Sequence, residues 1–127
     1  MTTIVAVRKN GRAVIGADTL VTYGDQLESA DLIANHSKLI QVEDTWIAAT
    51  GHAAMDLILR GLFVPAGGKE RCRRSFTGTD DIFRTFLDVH RRMKDVYYLR
   101  TDDDKDEEFE SMHMNVLLAN RHGIFGV

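Results

Sequence analysis

The sequence predicts an α+β domain built mostly from antiparallel strands, and three observations lead there. The first fifty residues are dense in short β-branched apolar runs separated by turn signals. From Ala53 the apolar spacing becomes helical, and it does so again after Thr79. Strand-like runs return between Met112 and Val127. Strands paired with their sequence neighbours, with the helices segregated between them, make an α+β layout.

Thr2 to Val7 (TTIVAV) is β-branched and apolar, and it meets Asn10-Gly11 before a second run from Arg12 to Ala17. Asn-Gly is the strongest two-residue hairpin signal, so the chain is expected to open with a β-hairpin. Thr19 to His36 is mixed in pattern. Lys38 to Val42 (KLIQV), the turn-forming Glu43-Asp44, and Thr45 to Thr50 (TWIAAT) read as two further strands, which gives four strands before residue 51. Gly51 ends the run. From Ala53 to Phe63 the residues Met55, Ile58, Leu59 and Leu62 fall at helical spacing.

Val64 to Thr79 holds Pro65, Gly67-Gly68 and Gly78 with the basic run Lys69, Arg71, Arg73 and Arg74, and reads as a solvated loop. Thr79 is the expected N-cap of a long helix to about Tyr98, with Asp80 and Asp81 favourable in its first turn. Its expected core stripe is Ile82, Phe83, Phe86, Leu87, His90, Met93 and Tyr97. His90 on that stripe reads as a packed, hydrogen-bonded core histidine. Met112 to Ala119 and Gly123 to Val127 flank Asn120-Arg121-His122 as a closing hairpin.

The 127 residues are 44% hydrophobic and 28% charged, which suits one globular domain spanning 1–127. Cys72 is the single cysteine, so neither an internal disulfide nor a four-cysteine zinc site is available. No apolar run approaches the roughly 18 to 20 residues that span a bilayer. The N-terminus is apolar first and basic afterwards, the reverse of a secretory signal, so a cytoplasmic location is expected.

The net charge of -3 is uneven. Asp102 to Glu110 carries seven acids against Lys105, and the remaining residues amount to +3. A run of like charge repels itself and reads as a solvated loop. A calcium loop fails there twice, because Glu107 stands where glycine is needed and His113 where a bidentate glutamate is needed. Nucleic-acid binding through Lys69 to Arg74 and Arg91-Arg92 is poorly supported, since the bases lack interleaved aromatics and the net charge is negative.

Three residues form a constellation with chemistry in it. Thr2 starts a strand, Asp18 closes the second strand, and Lys38 begins a later one. With Met1 removed, Thr2 would carry a hydroxyl nucleophile and a free amine on one residue. An α-amino group titrates near 7.7 to 8.0, so it is able to take the hydroxyl proton. Lys38 would place positive charge near the hydroxyl, and Asp18 would position Lys38.

The stretch Thr2-Thr3-Ile4-Val5-Ala6-Val7-Arg8-Lys9-Asn10-Gly11, followed by Val14-Ile15-Gly16-Ala17-Asp18, resembles the start of the proteasome β-subunit family. It is nearest to the bacterial, HslV-type branch. The resemblance implies an N-terminal-nucleophile hydrolase with a four-layer αββα sandwich, acting as a threonine endopeptidase on polypeptides inside homo-oligomeric stacked rings. It places the catalytic residues on Thr2, Asp18 and Lys38, with Lys38 inside His36-Ser37-Lys38-Leu39-Ile40 after a loop about four residues longer than in near relatives. The oxyanion-hole amide falls on Gly51 in Ala49-Thr50-Gly51-His52. Val21, Thr22 and Ala49 would line a small, apolar pocket for the residue before the cleaved bond.

No metal or cofactor is expected, and an unfolding ATPase is the further partner that the resemblance suggests. The family continues beyond the position of Val127 through a Gly-Ser-Gly segment, further helices and closing strands. The resemblance therefore covers the first two-thirds of the family's domain, and the fold is expected to be C-terminally incomplete. A non-catalytic ring subunit that keeps Met1 is the alternative, because a retained methionine leaves Thr2 without a free amine.

Overall fold

The computed structural model describes residues 1–34, 36–64, 72–98 and 112–127. The acidic run, most of the calcium-loop reading, and Lys69 and Arg71 of the basic run lie outside the described residues. The elements run β1 (Ile4–Lys9), β2 (Arg12–Ala17), β3 (Val21–Tyr23), β4 (Gln26–Glu28), β5 (Leu39–Val42), β6 (Thr45–Thr50), α1 (Ala54–Phe63), α2 (Thr79–Asp95), β7 (Asn115–Asn120) and β8 (Gly123–Gly126). The chain divides into two compact units, Met1–Gly51 with Asn115–Val127, and His52–Met114.

In the first unit, β1 and β2 pair antiparallel from Ile4 opposite Ala17 to Lys9 opposite Arg12. Asn10 and Gly11 both take positive φ, 51° and 73°, which the two-residue turn demands and which asparagine and glycine accept at low cost. β5, β6, β7 and β8 form a second antiparallel sheet in that order. Ile40, Val42, Ile47, Ala48, Val116, Leu118 and Ala119 are its buried apolar side chains. The buried Asn120 donates from Nδ2 to the buried Thr45 Oγ1 at 3.1 Å, so neither polar group is left unpaired. β1 and β2 lie close to β6, β7 and β8, and the face of the hairpin carrying Ile4, Ala6 and Ile15 is half-buried.

Two strands in this unit escape the sequence pattern. Val21–Tyr23 and Gln26–Glu28 pair antiparallel across Gly24, whose φ is 58°. The four strands expected before residue 51 are therefore six. Runs of three residues are too short to display a period of two, and Gly24-Asp25 was their single local signal. The closing hairpin turns on Arg121-His122, because Asn120 pairs with Gly123. His122 N–H donates to Asn120 Oδ1 at 2.8 Å to hold that turn.

In the second unit, α1 buries Met55, Leu59, Leu62 and Phe63. Phe63 meets Phe76 and Phe86 edge-on, with ring centroids 5.7 and 6.4 Å away. α2 buries Ile82, Thr85, Phe86, Val89 and Met93. Phe83 and Leu87, expected on the core stripe, are exposed, and His90 is half-buried. The expected stripe is wider than one helix face, and packing selected the part centred on Val89.

Tyr97 lies beyond the end of α2. Its hydroxyl leaves no room for a Cβ on Gly61 of α1. Thr79 is the first helical residue and not the cap, which is Gly78 without a side-chain cap bond. Asp81 does the holding instead. Its carboxylate accepts from Ser75 Oγ, from Thr77 N–H at 3.0 Å and Thr77 Oγ1 at 3.1 Å, and from Arg73. Those donors hold the Asp81 carboxyl well below the usual carboxylate range, the Ser75 hydroxyl foremost. Arg73, read as part of a solvated basic loop, is a structural ion-pair partner.

Candidate active site

The β1–β2 register assembles the site. One residue beyond the last pair, Asp18 N–H donates to the Thr3 carbonyl at 3.0 Å, and Thr3 N–H donates to Asp18 Oδ1 at 2.7 Å. Asp18 Oδ2 accepts from Leu20 N–H at 3.1 Å. The carboxylate is thereby fixed beside the residue that follows Thr2.

Lys38, just ahead of β5, points its ammonium into this corner. Nζ donates to Asp18 Oδ2 at 2.8 Å, to the Leu20 carbonyl at 2.6 Å and to Thr2 Oγ1 at 3.3 Å. An ammonium has three protons, and these three acceptors account for all of them. The Lys38 side chain is 15% exposed, so the charge is largely shielded from water. Burial by itself would raise the Asp18 carboxyl. The Lys38 hydrogen bond, the Thr3 N–H, the Lys38 charge and the Leu20 N–H outweigh it and hold that carboxyl below its ordinary value.

Thr2, Asp18 and Lys38, dispersed over 36 residues of sequence, are therefore joined by direct hydrogen bonds. Thr22 in β3 accepts at Oγ1 from the Met1 ammonium at 3.4 Å, a bond to Met1 and not to Thr2, Asp18 or Lys38. Val21 begins β3, and Ala49 lies next to the last residue of β6. Gly51 follows β6 with φ 146°, a conformation that side chains rarely adopt, so the glycine there is required by the backbone. The hydrogen bonds of this site among the described residues do not include Val21, Ala49 or Gly51.

Sequence reasoning missed Thr3 and Leu20, whose backbone N–H and carbonyl groups hold Asp18 and Lys38 in place. Any residue type supplies such backbone groups, so only the register of the hairpin could have revealed them. Among the described residues no group of three or more His, Cys, Asp or Glu side chains could hold a metal ion. No helix among them is long and apolar enough to cross a membrane.

No protein-family model and no curated protein matches the chain. Solved structures do. The chain is similar to Thiobacillus denitrificans BPH, a bacterial proteasome homologue, at 40% identity and a TM-score of 0.82. It is similar at the same identity, with a TM-score of 0.81, to Thiobacillus denitrificans BPH in complex with Epoxomicin. In both, all of this chain is covered, and it spans 63% of the length of the other chain. This likeness supports a proteasome-like relationship and an α+β domain compatible with part of a proteasome-like fold.

Proposed function

We propose that the protein is a threonine-type endopeptidase of a proteasome-like, self-compartmentalised complex, active once Met1 is removed. The observation that carries the reading is the Lys38 ammonium 3.3 Å from Thr2 Oγ1, held there by Asp18 and the Leu20 carbonyl. A threonine at a strand start is ordinary. A threonine hydroxyl facing a shielded, fully hydrogen-bonded lysine is what an activated nucleophile needs.

With Met1 gone, the Thr2 amine takes the Oγ1 proton as Oγ1 attacks the carbonyl carbon of the scissile peptide. The resulting oxyanion is stabilised by the Gly51 N–H, a contribution of about 3 to 4 kcal/mol in sites of this type. The protonated amine passes its proton to the departing amine as the C–N bond breaks, leaving an ester on Thr2. Water, deprotonated by the same amine, then hydrolyses that ester and restores Oγ1–H. Lys38 stays charged throughout and favours the developing alkoxide, while Asp18 fixes the direction of its Nζ.

Val21, Thr22 and Ala49 line the pocket for the residue before the cleaved bond, and their small size selects apolar side chains. The domain adopts the four-layer αββα sandwich, and copies enclose their sites in stacked homo-oligomeric rings fed by an unfolding ATPase in the cytoplasm. The 40% identity to a bacterial proteasome homologue supports this arrangement.

Intact-mass measurement combined with hydrolysis of an apolar fluorogenic peptide tests the proposal. A species lacking Met1 hydrolyses the peptide and gains the mass of one epoxomicin per chain, and Thr2→Ala does neither. A preparation in which every chain retains Met1 and none reacts favours the non-catalytic ring subunit.

A further inference from the structure

The outward face of α2 carries a pattern that packing within the chain does not use. Phe83 is 62% exposed and Leu87 is 53% exposed, one helical turn apart. Asp80 lies three residues before Phe83, and Arg91 lies four residues after Leu87. These four fall at i, i+3, i+7 and i+11, the spacing of one helix face. All four are exposed, so a single stripe runs from acid through two large apolar side chains to base. It covers about 16 Å at 1.5 Å per residue.

The stripe is its own complement. The midpoint between Asp80 and Arg91 and the midpoint between Phe83 and Leu87 fall within about half a residue of one another, at the level of Thr85. One two-fold axis at that level, perpendicular to α2, therefore sets Phe83 against Leu87 and Asp80 against Arg91, and does so twice. Among the described residues no hydrogen bond or ion pair engages Asp80. The Arg91 side chain is 68% exposed and donates from Nη2 to Asp88 at 2.9 Å, and a guanidinium has further donors for a second carboxylate. Arg84, also exposed, comes nearest in level to Leu87 and Asp88 of the other copy, an apolar side chain and a carboxylate.

We infer that α2 is the contact through which two copies of this chain pair, antiparallel across that axis, with Phe83 of each on Leu87 of the other and Asp80 of each on Arg91 of the other. Charge order is the reason that the occupant is a second copy. A face with acid at one end and base at the other, placed symmetrically about an apolar centre, meets its complement in itself, as an isologous contact requires. Two helix faces make a small interface, so the pair is expected to be weak and concentration-dependent. The inference does not rest on the peptidase reading, since a chain that hydrolyses nothing can still pair.

Sedimentation equilibrium of the full chain over a range of concentrations tests it, on wild type, Leu87→Lys, Asp80→Lys, Arg91→Glu and an equimolar mixture of the last two. Wild type is expected to approach twice the mass of Leu87→Lys as the concentration rises. Asp80→Lys and Arg91→Glu each set like charges together at both ends of the pair, and are expected to raise its dissociation constant about tenfold or more. Mixing them matches opposite charges again at both ends. The mixture is expected to regain the wild-type mass, a rescue that misfolded chains do not give.

Equal masses for wild type and every variant overturn the pairing. Equal masses with a lower urea midpoint for Leu87→Lys give the face to another segment of the same chain, and equal masses with binding of wild type alone to phosphatidylcholine vesicles give it to a lipid surface. A mixture that stays as light as its two components overturns the antiparallel register, and the proposal with it.

Discussion

Asp18 and Lys38 form an ion pair at 2.8 Å whose second function is aim, because the same Nζ also donates to Thr2 Oγ1. Replacing Lys38 by methionine keeps the length of the side chain and removes the charge next to the hydroxyl. The expected outcome is a loss of peptide hydrolysis of about a hundredfold or more, in kcat and not in KM. Asp18→Asn is expected to lose less, because the Leu20 carbonyl still holds Nζ. Steady-state kinetics on the species lacking Met1 checks both.

Asp88 illustrates a carboxylate that works for the fold. Burial alone would raise it. The Arg73 N–H at 3.0 Å, Arg91 at 2.9 Å and Arg92 at 3.2 Å outweigh burial and lower its carboxyl to about 2. A depressed carboxyl contributes stability that is fully present above the unfolded value of about 3.9 and is lost as the pH falls through the folded value. Urea unfolding of wild type and Asp88→Asn should therefore show a gap that is constant at neutral pH and closes between about 3.9 and 2. A gap that widens on acidification would contradict the assignment.

Cys72 is buried, and burial together with the adjacent Asp88 pushes its thiol up to about 12. A thiol held protonated is a poor nucleophile. The folded protein is expected to resist alkylation by iodoacetamide at pH 8 and to react stoichiometrically once unfolded in urea, as read by mass.

Glu43 sits in the β5–β6 turn with φ 56°, a left-handed conformation in which its Cβ is crowded. Glu43→Gly is expected to stabilise the fold by about 1 kcal/mol, measured by urea unfolding. A destabilised variant would show that the entropy glycine adds to the unfolded chain outweighs the relief of the left-handed conformation.

The hairpin, the β5–β6 pair and both helices were legible in the sequence because each announces itself locally. Asn10-Gly11 needs no distant partner to form its turn, and the apolar spacing of α1 is visible in ten residues. The β3–β4 pair was not legible, since strands of three residues rest on their pairing and not on a pattern. Thr2, Asp18 and Lys38 were legible as candidates from their residue types and order. Gly51 was legible as a turn glycine, while its φ of 146° was not.

By itself, then, the sequence determined which residues are candidates for the chemistry and which local elements hold them, because residue type and short-range periodicity are properties of the chain. Only the tertiary structure decided the direction of Lys38. That direction depends on one carboxylate and one carbonyl, at Asp18 and Leu20, brought within 3 Å by strand register. Hydrogen-bond partners are relations between distant atoms, and a one-dimensional pattern carries the atoms without the relations.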